Sequence, residues 1–115
     1  MNERIAPRKN FVTEVIFEDE FGCEFLYFWS ENISASGLFI RTDLALNPGT
    51  KVFLKFKLND TAIPIRTAAL VMRQHGQKRG PGRKKPVAQG VGLKFTSLAP
   101  KDFMKLQEFS SKNGL

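Results

Sequence analysis

Short apolar stretches rich in Phe, Val and Ile recur along the chain, each bounded by a turn signal. The first runs from Phe11 to Phe17 and stops at the acidic turn Glu18–Gly22. The second, Glu24–Ser30 (EFLYFWS), is nearly continuous aromatic and apolar, which predicts a strand buried on most sides. Asn32–Ser36 reads as a turn, Gly37–Thr42 as a third strand and Asn47–Thr50 (NPGT) as a Pro-Gly turn. The clearest alternation follows. Val52, Leu54, Phe56 and Leu58 share one face, and Lys51, Lys55 and Lys57 share the other, interrupted by Phe53. That is the period of two of a strand with one wet face.

Ile63–Gln74 predicts a long fifth strand, with Pro64 at its beginning or on a sheet edge. A Gly-, Pro- and Lys/Arg-rich loop, 75–86, separates it from a sixth strand, Val87–Thr96. There Val91, Leu93 and Phe95 point inward and Gly90 and Gly92 share the outer face, where a missing side chain permits close approach. The period then changes. Pro100 suits the first helical position, and Phe103, Leu106 and Phe109, with Met104, form a stripe at helical spacing. A helix over Pro100–Lys112 is predicted. Six strands and one helix argue for an all-β fold, a six-stranded antiparallel β-barrel with one C-terminal α-helix packed on it.

The 115 residues fit one domain, with a flexible N-terminal arm expected over 1–10, the barrel over 11–96 and the helix over 100–112. Composition is ordinary for a folded chain, 42% hydrophobic and 25% charged. The net charge of +7 points to an anionic partner: nucleic acid, an acidic protein face, anionic lipid or a nucleotide. That charge is local. Six of the eleven acidic residues lie between Glu14 and Glu31, whereas Lys78, Arg79, Arg83, Lys84 and Lys85 crowd into one loop. The loop could hold nucleic-acid phosphates, but no aromatic residue interleaves its cations to stack on bases.

Catalysis is not expected from one His and one Cys with no base placed beside a nucleophile. Cys23 alone supports neither an internal disulfide nor a cysteine metal cluster, so no metal or cofactor is expected. The acidic cluster Glu18–Glu20 reads as a solvated turn and His75 as a solvated loop residue. The opening MNERIAPRKN lacks an apolar signal core, and no run approaches the roughly 18 apolar residues of a membrane span. A cytoplasmic binding protein is the expectation.

Two short segments can carry binding. Arg4 and Arg8 stand four residues apart before the first strand, and each planar guanidinium can donate paired hydrogen bonds to a phosphate or to the O6/N7 edge of guanine. Pro7 stiffens that arm. Asn32, Ser34 and Gly37 lie in Asn32-Ile33-Ser34-Ala35-Ser36-Gly37, which supplies short polar groups and a position without a Cβ.

Taken in order, RxxxR followed about two dozen residues later by NxSxxG resembles the PilZ family of bacterial domains, whose motifs are RxxxR and [D/N]xSxxG. The likeness spans nearly the whole chain: GLFI at Gly37–Ile40, the Pro48-Gly49-Thr50 turn before VFLKFKL, the GVGLKF strand at Gly90–Phe95, and the closing helix. The resemblance implies a split barrel whose arm folds over cyclic di-GMP. It also implies that Arg4 and Arg8 grip phosphate and guanine edges, Asn32 contacts a guanine, Ser34 donates a hydroxyl and Gly37 leaves room for the base. Lys9 is a secondary contact. Glu3 and Ile5 stand where many members carry a further Arg, which disfavours a site for two stacked ligand copies. A downstream protein partner is implied, and some PilZ domains act through protein contacts without nucleotide.

Overall fold

The computed structural model of the chain describes residues 8–59, 63–75 and 90–112. The described strands are β1 (Lys9–Asn10), β2 (Glu14–Glu18), β3 (Glu24–Ile33), β4 (Gly37–Arg41), β5 (Lys51–Phe56), β6 (Ile65–His75) and β7 (Gly90–Phe95), and α1 (Pro100–Lys112) follows them. Every pairing is antiparallel. The order β3-β2-β5-β6-β7-β4 returns to β3, so six strands form a closed ring, and β1 adds a short pairing to β3. Closure removes the unpaired edges of an open sheet.

Alternation decides what fills the ring. Val15 and Phe17 of β2, Leu38 and Ile40 of β4, Leu54 and Phe56 of β5, and Val91, Leu93 and Phe95 of β7 are all buried. Pro64 stands immediately before β6, where its missing N–H costs no ladder bond. Gly90 does permit close approach: a Cβ there would meet the Phe39 ring at 2.1 Å. The helix has the expected limits but a different buried stripe. Leu106 and Ser110 are buried and Phe109 packs edge-on against Phe11 at 4.9 Å, while Phe103 and Met104 face outward.

Two further expectations need correction. The stretch 11–17 is not one strand: β1 and β2 are separated at Phe11–Thr13, and buried Ser30 bridges the break. Its hydroxyl donates to the Phe11 carbonyl (2.6 Å) and accepts from the Thr13 N–H (2.9 Å). The aromatic run of β3 is not buried on most sides either. Phe28 and Ser30 face inward, whereas Tyr27 and Trp29 stand on the outer face, and Phe25, at the register shift opposite Phe17, is half exposed beside the Phe17 ring. Both faces of this strand are apolar, so the composition hides its alternation. β3 also runs on to Ile33, because Ile33 is a core residue paired with Leu38; Asn32 therefore lies in a strand and not in the turn.

Glu18, read as part of a solvated turn, is buried. Its carboxylate lies 3.4 Å from Arg66 Nε and 3.6 Å from Lys55 Nζ. Lys55 in turn sits 2.6 Å from Glu24, which also accepts from the Tyr27 hydroxyl at 3.0 Å. The Lys55 hydrogen bond, helped by Tyr27, holds the Glu24 carboxyl below its ordinary pKa, and the same bond raises Lys55. A carboxyl whose pKa is depressed on folding contributes stability present above its unfolded pKa and lost as pH falls through the folded value. The melting-temperature advantage of the parent over Glu24→Gln should therefore be steady near neutrality and close below about pH 4.3. Lys55 has the opposite sign: its contribution is lost as pH rises through its folded value, above about 10.4. Melting curves of both proteins across pH check both limbs.

Candidate functional site

The site is assembled by β3 with β1 and β4, two of the three strands that pair with it. Strand β1 pairs Lys9 with Ile33 and Asn10 with Asn32. This short ladder brings the arm's described end against the polar end of β3. Arg8 then donates from Nη1 to the side-chain oxygen of Asn32, joining residues 24 apart in sequence. One member of each motif thus meets the other. Arg8 remains exposed by area, yet the protein around it desolvates its guanidinium enough to lower its pKa, while an arginine stays charged. A guanidinium has five N–H donors, so the bond to Asn32 leaves a fork capable of gripping an anion.

Across β4, Asn32 pairs with Phe39 and Trp29 pairs with Arg41, and the ladder shifts between Ser30 and Asn32. Glu31, at that irregularity, lies 3.7 Å from Arg41. Phe39, Arg41 and Trp29 therefore border Asn32 on the outer surface, a neighbourhood the sequence reading did not single out. The signal was present in the period of two of GLFIR, whose buried positions Leu38 and Ile40 leave Phe39 and Arg41 to the other face.

The remaining motif residues shape the turn. Ser34 is buried, its N–H donates to the Gly37 carbonyl (2.8 Å), and its hydroxyl lies 2.9 Å from that of Ser36 and accepts the Ser36 N–H (3.1 Å). Gly37 is buried against β7: a Cβ there would lie 2.1 Å from the Leu93 carbonyl oxygen. The room kept at Gly37 thus admits the chain's own backbone. Lys9 places its ammonium 4.1 Å from the centre of the Phe109 ring, a cation–π contact that ties β1 to α1. Arg4 and the basic loop 78–85 lie outside the described residues. Among the described residues, no helix is long and apolar enough to cross a membrane.

Comparison with known proteins gives the geometry a context. The family described as PilZ domain matches residues 22–112, which include Asn32, Ser34 and Gly37. No curated protein matches the chain significantly. Among solved structures, the Bacillus subtilis inhibitor of motility (MotI/DgrA) is similar with a TM-score of 0.78 at 23% identity, over 99% of this chain. The chain spans about half of that protein, 52% of its length. The PilZ domain of YcgR from Escherichia coli, solved with c-di-GMP, has a TM-score of 0.70 at 13% identity over 96% of this chain and 91% of its own. At these identities the likeness is one of fold.

Proposed function

This chain belongs to the PilZ domain family, and we propose that it is a receptor for cyclic di-GMP, a binding module that passes the signal to a protein partner and performs no catalysis. The observation that carries this reading is the Arg8–Asn32 hydrogen bond, which joins one residue of each motif on one surface. The ligand has two anionic phosphates and two guanines. Arg8, with Arg4 from the arm, supplies charge and paired donors for both features. Asn32 reads a guanine edge, and Lys9 adds charge nearby. Ser34 and Gly37 hold the turn in the shape that presents Asn32. The PilZ domain of YcgR solved with c-di-GMP shows that this fold can seat that dinucleotide.

In this reading the arm carries the switch: β1 holds Arg8 beside Asn32, and cyclic di-GMP gripped by Arg4 and Arg8 joins the arm to the polar end of β3 and changes the surface offered to a partner. Amide exchange tests this directly. Saturating cyclic di-GMP should slow exchange over residues 1–8 and over 31–37, whereas GMP at the same concentration should not. Unchanged exchange over 1–8 in a ligand-saturated sample would rule out the arm mechanism.

A further inference from the structure

The ladder between β3 and β4 holds a second guanidinium close to Asn32. Ser30 and Ile33 are both buried, and two residues, Glu31 and Asn32, lie between them at the register shift. An extra residue of this kind bends the strand and re-aims its side chains. A carboxylate and a carboxamide, adjacent in sequence, thus share the outer surface. Asn32 pairs with Phe39, so Arg41, two residues on, is its diagonal neighbour. Diagonal neighbours stand about 7–8 Å apart, a gap that a side chain as long as arginine spans.

Phe39 sets the direction of Arg41. Gly90 is the cross-strand partner of Arg41 on β7, and a Cβ at Gly90 would meet the Phe39 ring at 2.1 Å. The ring therefore fills the β7 side of Arg41. The guanidinium turns toward β3, where its Nη1 lies 3.7 Å from the Glu31 carboxylate. Arg8 reaches Asn32 from the β1 side, and Arg41 comes from β4 on the opposite flank.

We infer that Arg41 is a further ligand-binding residue of this site, taking a phosphate from the β4 side while Glu31 holds it in place until the ligand arrives. This inference rests on the cyclic di-GMP reading above. The ligand carries two phosphates on one ring, so cations that approach from two flanks answer both. Magnitudes favour the exchange. The contact with Glu31 is longer than a hydrogen bond, and both side chains are about half exposed (51% and 47%). An exposed ion pair of this kind contributes little. A guanidinium on a phosphate donates two charge-assisted bonds in parallel. The ligand therefore displaces Glu31. The released carboxylate then stands beside an anion, and that repulsion sets the affinity below what Arg41 alone would give.

Calorimetric titration of cyclic di-GMP into the parent, Arg41→Gln, Glu31→Gln and the double variant tests it, with thermal melts to show that each is folded. Arg41→Gln should weaken binding at least about tenfold, alone and in the Glu31→Gln background. Glu31→Gln alone should tighten it by about threefold. Lys105→Gln, which removes an exposed cation from α1, should leave the affinity unchanged. Three results would overturn the role of Arg41 and leave the nucleotide reading standing: parent-like affinity in Arg41→Gln, an equal loss in Lys105→Gln, or parent affinity restored in the double variant. Weaker binding by Glu31→Gln would make Glu31 a ligand contact and overturn its part in the exchange. A folded parent that binds no cyclic di-GMP would overturn both readings together.

Discussion

Gly37→Ala is expected to lower unfolding free energy by about 3 kcal/mol, the upper end of what overpacking usually costs. An added Cβ would sit 2.1 Å from the Leu93 carbonyl oxygen and 3.1 Å from its carbon. Those are backbone atoms of β7, which pairs Lys94 directly with Gly37 and holds Phe95 N–H to the Ser36 carbonyl at 2.9 Å. No side-chain rotation can relieve the clash, so β4 must move off β7 or the ring must open. Gly90 is a useful contrast, since the nearest atoms to its added Cβ belong to the Phe39 ring, although Ile40 O follows at 2.8 Å. Urea unfolding should show a lower midpoint for Gly37→Ala with an unchanged slope. An undisturbed midpoint would mean that the β4–β7 approach is looser than described. Any loss of ligand binding by this variant must then be read together with its lost stability.

Arg8→Ala should behave in the opposite way. Its stability should stay within about 0.5 kcal/mol of the parent, as expected of an exposed side chain outside the core. Its affinity for cyclic di-GMP should fall by roughly a hundredfold. Each charge-assisted hydrogen bond contributes about 1.5–3 kcal/mol, and a guanidinium gripping a phosphate or a guanine edge makes two in parallel. Arg8→Lys should recover little, because an ammonium keeps the charge and loses the planar fork. Full recovery by Lys would reduce the role of Arg8 to a point charge.

Much of the fold was legible along the chain. The alternation of Val52, Leu54, Phe56 and Leu58, the inward set Val91, Leu93 and Phe95, and Pro100 at the helix start all follow from local physics, and each stands where it predicts. The failures share a cause, which is that burial depends on the neighbours a residue meets. Tyr27 and Trp29 look like core, but the inner face of β3 is already filled by Phe28 against Phe17, with ring centres 4.8 Å apart. Glu18 looks like solvent and is buried because Lys55 and Arg66, on strands β5 and β6, come to meet it. Met104 fits a helical stripe, yet α1 docks through Leu106 and Phe109. For the site, periodicity could not join Arg8 to Asn32, since nothing local relates residues 24 apart. Only the resemblance of the two motifs to the PilZ pattern suggested it.

The central claim is that the surface joining Arg8 and Asn32 binds cyclic di-GMP. Calorimetric titration of the parent chain and of Arg8→Ala with cyclic di-GMP, at moderate salt, tests it most directly. Saturable binding by the parent that weakens by roughly a hundredfold in a folded Arg8→Ala is the predicted result. No heat of binding from the folded parent, or equal binding by both proteins, would contradict it and leave this PilZ domain as a module that works through its protein-facing surfaces alone.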